Sequence, residues 1–211
     1  MKVKILAISQ RIEKIEEYSE IRDSLDQSWT RLISRLDFLP VPLPNLVSPF
    51  NFIETVKPSA IILSGGNTIN NIDKADPSSS IQRDNFEEGI LTIAIERGIP
   101  VVGVCRGMQM INLFFKGSTS KSKGHVGARH NVNFEGKYSE FNTRPVNSYH
   151  KWCISESDLG NSLMPFAIAE DKTIEGFYHK DHPIFGIMWH PEREEPYNNY
   201  DINLLKKFVQ I

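Results

Sequence analysis

The chain has 211 residues, of which 40% are hydrophobic and 24% charged, a length that favours one large domain against a prior of about 150 residues per domain. Lys and Arg number 24 and Asp and Glu 26, a formal net charge of −2, so no basic excess points to nucleic acid as a partner. Apolar runs such as Ala60-Ile61-Ile62-Leu63 fall far short of the roughly 18 residues of a membrane span, and two cysteines, Cys105 and Cys153, cannot build a disulfide framework.

The opening Met1-Lys2-Val3-Lys4 leads into an apolar patch shorter than the roughly 7–15 residues of a signal-peptide core. Val3 to Ile8 is therefore expected as the first strand, in a protein of the reducing cytoplasm where thiols stay free. Tyr18, Ile21, Leu25, Trp29, Leu32 and Leu36 step by three and four and predict one helix face. Leu39 to Leu43 predicts a short strand between prolines, Phe50 to Val56 a short helix, and Ala60 to Leu63 a buried strand ending at Ser64-Gly65-Gly66-Asn67. Asp76-Pro77-Ser78-Ser79-Ser80 reads as a surface connection. Asp84 with Glu87 three positions on has the form of a capping box, ahead of a helix through Phe86, Ile90, Ile93 and Ala94 that stops at Gly98 and Pro100. Val101 to Val104 is another interior strand. Beyond Gly124 the pattern shortens to alternating runs, Arg129 to Phe134, Thr143 to Tyr149, Phe166 to Ala169, Thr173 to Tyr178 and Ile184 to Trp189, before a closing helix carrying Ile202, Leu205, Phe208 and Val209. The expectation is a single α/β domain over residues 1–211: a central, mostly parallel sheet with flanking helices and a smaller antiparallel strand region, whose ligands gather at the carboxyl ends of the strands.

The chemistry concentrates in Gly103-Val104-Cys105-Arg106-Gly107-Met108-Gln109, a strand that enters a helix through Gly-x-Cys-x-Gly. A nucleophile on such a turn occupies a strained backbone position, flanking glycines avoid collision, and the helix N-terminus favours a thiolate. The alternative for Cys105 is an inert buried thiol. A thiol needs a base, and His190 closes the apolar run Ile187-Met188-Trp189, with Glu192 two residues later to orient the imidazole and stabilise its charged form.

Taken in order, Leu63-Ser64-Gly65-Gly66, the cysteine turn and Trp189-His190-Pro191-Glu192 resemble the class I glutamine amidotransferases, and within them the γ-glutamyl hydrolase branch. Arg83-Asp84-x-x-Glu87 and Val146-Asn147-Ser148-Tyr149-His150 are similar to weaker patterns of that branch. The resemblance implies a catalytic triad of Cys105, His190 and Glu192, an oxyanion hole from the backbone N–H groups of Gly66 and Arg106, and substrate contacts from Gly65, Gln109, Asn147, Ser148, Tyr149 and His150. It implies hydrolysis of a small γ-glutamyl amide through a glutamyl thioester, with no metal or organic cofactor.

His125, His130, His179 and His182 show no closed zinc-binding spacing and are expected in structural or solvated roles; Cys153 is expected to pack. Three functions stay open: a free-standing hydrolase, a glutaminase component that passes ammonia to a partner synthetase, and a non-catalytic binding protein. Oligomeric state is left open. The opening Ile8-Ser9-Gln10-Arg11 with Tyr18, Ile21-Arg22, Leu25-Asp26 and Trp29 is similar to γ-glutamyl-CDP-amidate hydrolases of bacterial capsule synthesis, beside which γ-glutamyl polyamines and folyl polyglutamates remain candidate substrates.

Overall fold

The computed structural model describes residues 3–210; Met1 and Lys2, the approach to the first strand, lie outside them. In chain order the strands are β1 (Ile5–Ser9), β2 (Arg11–Ile15), β3 (Glu20–Ser24), β4 (Leu39–Leu43), β5 (Ala60–Leu63), β6 (Val101–Val104), β7 (Ser120–Lys121), β8 (Val126–Phe134), β9 (Arg144–Tyr149), β10 (Trp152–Cys153), β11 (Leu163–Ala169), β12 (Ile174–His179) and β13 (Ile184–Ile187). The α-helices are α1 (Gln27–Arg35), α2 (Pro49–Val56), α3 (Ile81–Arg97), α4 (Arg106–Phe114) and α5 (Asn199–Val209).

Nine strands form one sheet in the order β4-β1-β5-β6-β13-β12-β11-β8-β9. From β4 to β13 neighbours run parallel; from β13 to β9 they run antiparallel. The α/β class expected from the alternating pattern is observed, and the antiparallel strands continue the same sheet. Every residue of β5, β6 and β13 is buried, as strands covered on both faces require. Parallel β5 and β6 and their neighbour β13 deliver Ser64, Cys105 and, one turn beyond Ile187, His190 to one edge of the sheet. Among the described residues no helix is long and apolar enough to cross a membrane.

Two local expectations are corrected. The helix expected from Tyr18 begins at Gln27, because Asp26 caps it by accepting a hydrogen bond from the Ser28 N–H at 2.8 Å. The preceding residues instead form the β2–β3 hairpin, in register from Arg11 opposite Ser24 to Ile15 opposite Glu20, and leave Tyr18 and Ile21 exposed. Only Trp29, Leu32 and Leu36 of the proposed stripe enter the core. Likewise the cap of α3 is Ser80, whose side chain accepts from the Arg83 N–H. Asp84 and Glu87 are not a capping box; both carboxylates pair with the Arg106 guanidinium.

Candidate active site

Cys105 sits between β6 and α4 with φ 51° and ψ −103°, a left-handed φ that a non-glycine residue adopts only where its surroundings impose it. Its N–H donates to the Ile187 carbonyl at 2.8 Å and its carbonyl accepts from the Gln109 N–H at 3.1 Å, which anchors the turn on both sides. The turn needs small neighbours: a Cβ on Gly103 would stand 2.5 Å from the Gly107 backbone, and one on Gly107 would enter the Leu63 backbone. Those contacts bring α4 directly against β5.

The fold brings His190 from the loop after β13 to the cavity that Cys105 also lines, where the two groups act on each other's charge. His190 Nδ1 and Glu192 Oε1 are 2.6 Å apart, so the imidazole presents its other nitrogen to the thiol. Burial opposes a thiolate, but the neighbouring His190 outweighs it and holds Cys105 below the ordinary thiol value. Burial likewise opposes an imidazolium, yet Cys105 and Glu192 together raise His190 to about 9. Both directions favour a proton on the imidazole and a thiolate on Cys105. The N-terminus of α4 adds its dipole to the same preference.

Asn147, on β9, holds the histidine main chain. Its Nδ2 donates to the His190 carbonyl at 2.8 Å, and its Oδ1 accepts from the His190 N–H at 2.8 Å. Ser148 is fully buried and its hydroxyl donates to the His125 carbonyl at 2.6 Å. Asn147 Nδ2 also donates to Glu194 Oε1 at 2.7 Å.

Gly66, Cys105, Arg106, Gln109, Tyr149, His150 and His190 line a cavity of about 390 Å³. Tyr149 meets the His190 ring edge-on with centroids 5.6 Å apart, and Gln109 Nε2 donates to the Trp152 carbonyl at 2.9 Å. Gly65 lies behind the imidazole, where a Cβ would come within 2.7 Å of His190 Cε1.

The Gly65-Gly66 turn is held by Arg83, a fully buried side chain on α3. Its guanidinium donates to the carbonyls of Ser64 at 2.8 Å and Gly66 at 2.6 Å, and to Asn67 Oδ1 at 3.1 Å. Glu87 joins Arg83 to Arg106, so one buried ionic network fixes both the glycine turn and the first residue of α4. Spacing alone marked Arg83 and Glu87 as a weak pattern; beyond their own pairing, their partners lie 16 to 19 residues away, beyond the reach of local reading.

The fold also gathers His125, His130, His150 and Glu175, whose side-chain ligand atoms all lie within 4.8 Å of one another. Neither the grouping nor Glu175 was visible in the spacing of the histidines. His179 is elsewhere, between Phe115 and His182.

Comparison with known proteins adds a lineage to this geometry. The Peptidase C26 family model matches residues 3–192. The γ-glutamyl-CDP-amidate hydrolase of Campylobacter jejuni is 35% identical over 209 residues, covering 98% of both chains. The carbamoyl phosphate synthase small chain of Gracilaria tenuistipitata is 29% identical over 198 residues, covering 85% of this chain and 44% of the relative. A glutamine amidotransferase structure from Thermotoga maritima superposes with a TM-score of 0.65 at 17% identity, covering 99% of this chain and 84% of the other, a likeness of fold.

Proposed function

From a chain that belongs to the Peptidase C26 family, we propose a cysteine hydrolase that cleaves a γ-glutamyl amide through a glutamyl thioester. The observation that supports this reading is the Glu192–His190 pair, with His190 and Cys105 lining one cavity at the carboxyl edge of the sheet. The Cys105 thiolate attacks the γ-carbonyl carbon, and the carbonyl oxygen takes the negative charge. Arg106 is the first residue of α4, so its N–H has no carbonyl partner within the helix. With the Gly66 N–H across the cavity it forms the donor pair for that oxygen, a stabilisation commonly worth about 3–4 kcal/mol per donor. His190 then gives its proton to the departing nitrogen, the C–N bond breaks and the thioester remains. A water molecule, losing its proton to His190, attacks the thioester; glutamate leaves and Cys105 regains its starting state. Glu192 keeps the imidazole oriented throughout.

The relative matched over nearly the whole chain on both sides favours γ-glutamyl-CDP-amidate as substrate, with cytidine diphosphoramidate as the leaving product. Trp152, which lines the cavity mouth beside Lys151, offers an aromatic face and a neighbouring cation suited to a nucleotide diphosphate. Trp29 is buried in the core and Arg106 is committed to Asp84 and Glu87; neither side chain is available to the nucleotide. The carbamoyl phosphate synthase relative supports a second reading, a glutaminase working with a synthetase. Purified protein offered γ-glutamyl-CDP-amidate, glutamine, a γ-glutamyl polyamine and a polyglutamate separates the two. Glutamate release from the first without a partner, abolished in Cys105→Ala, supports the hydrolase; release from glutamine alone, dependent on a partner, withdraws it.

A further inference from the structure

We propose that His125, His130, His150 and Glu175 form a closed structural site for a divalent transition ion of the zinc class, behind the wall of the cavity. Three neighbouring distances approach the edges of a tetrahedron. His125 Nδ1 is 3.1 Å from His150 Nε2, and Glu175 Oε1 is 3.4 Å from His150 Nε2 and 3.8 Å from His125 Nδ1; His130 Nε2 meets the same carboxylate at its other oxygen, 3.6 Å from Oε2. A tetrahedron with arms of about 2.0–2.1 Å has edges of about 3.3–3.4 Å.

The protons around the cluster point the same way. His150 Nδ1 lies 3.0 Å from the Trp152 carbonyl, and His125 Nε2 lies 2.7 Å from Asp171 Oδ2. Both partners are acceptors only, so each ring carries its proton on that outer nitrogen. In the neutral rings the inner nitrogens, His125 Nδ1 and His150 Nε2, then face each other with lone pairs at 3.1 Å. Two lone pairs at that distance repel unless a proton or a metal cation lies between them. Outer nitrogens held by a carboxylate and a backbone carbonyl are also the arrangement that orients imidazole ligands toward a metal.

Two further buried atoms, His130 Nε2 and Glu175 Oε2, have no hydrogen-bond partner. Glu175 is fully buried, where an unpaired carboxylate oxygen is costly. Three imidazole nitrogens and one carboxylate oxygen suit zinc, and four protein ligands leave no open coordination position, which marks a structural site. The ligands come from the residue before β8, the middle of β8, the residue after β9 and the start of β12. The ion would tie these strands together and fix the Tyr149–Trp152 segment that lines the cavity. The thioester chemistry proceeds at Cys105 without passing through it.

The test uses the full chain, purified without added metal, stripped with a chelator and then titrated with Zn²⁺ or Co²⁺. Elemental analysis should find one ion per chain, Zn²⁺ should raise the melting temperature of the stripped protein, and Co²⁺ should give the intense visible absorption of a tetrahedral site. His130→Ala should weaken binding at least about 100-fold, exceeding the 10- to 100-fold cost of losing an outer-shell partner. His182→Ala, outside the cluster, should bind as the parent does. Failure of the folded parent to bind either ion would overturn the site and leave a shared proton as what holds these groups together. Weak binding that His130→Ala leaves unchanged would assign the ion to surface histidines and equally overturn it.

Discussion

Gly65 tests how closely the imidazole must be held. Its backbone is outside the left-handed region, so alanine is conformationally acceptable, and the only obstacle is steric. The new Cβ would stand 2.7 Å from His190 Cε1, and restoring an ordinary 3.4 Å contact moves the ring by about 0.7 Å. The ring cannot move as a free body: Glu192 holds Nδ1 at 2.6 Å and Asn147 clamps the main chain on both sides. The displacement therefore falls on the contact with Cys105. A misplacement of about 1 Å costs on the order of 100-fold in rate, so Gly65→Ala should lower kcat by about 30- to 100-fold, roughly 2–2.7 kcal/mol of barrier. KM should change little. Steady-state glutamate release measures the rate, and alkylation of Cys105 as a function of pH measures whether the thiolate has lost its partner; its inflection should move up. A variant within threefold of the parent, with the same alkylation profile, would refute the geometry of the relay.

In Glu192→Gln the carboxylate that helps hold the His190 proton is removed. Burial then weighs more heavily, the imidazolium is lost below the present value of about 9, and the alkaline limb of kcat/KM moves to lower pH; an unmoved limb counts against the pairing. Asn147→Ala breaks both hydrogen bonds to the His190 backbone and should reduce kcat at least tenfold while costing about 1–3 kcal/mol in urea unfolding. Stability loss with unchanged kcat would make Asn147 structural only. Arg106→Met leaves the Asp84 and Glu87 carboxylates without their shared cation, and unfolding should show a loss of about 3–5 kcal/mol; a change under 1 kcal/mol would mean the network adds little.

The site was legible where its chemistry is local. Gly103, Cys105 and Gly107 lie within five residues and their spacing is dictated by one turn, while His190 and Glu192 sit together at the end of one strand. The sheet was legible for the same reason, since β5 and β6 are unbroken apolar runs. The β2–β3 hairpin was not, because Tyr18 and Ile21 continue by coincidence the helical spacing of Leu25, Trp29 and Leu32, and only the Asp26 cap breaks the series. Asp84 and Glu87 imitate a cap since their true partner, Arg106, is reached only after folding. The hold of Asn147 on the His190 main chain was not legible, because it depends on where β9 lies relative to the loop after β13. The cluster of His125, His130, His150 and Glu175 is tertiary throughout: its members follow no spacing and meet because β8, β9 and β12 share a sheet.

The proposed reaction turns on a covalent bond between substrate and one sulfur. Acid quenching during turnover of a γ-glutamyl amide, followed by mass spectrometry of intact protein and of the peptide containing Cys105, measures it directly. One glutamyl group should be found on Cys105, absent from Cys105→Ala and lost on incubation with hydroxylamine. Continuing glutamate release with Cys105 unmodified, or undiminished turnover by Cys105→Ala, would contradict it.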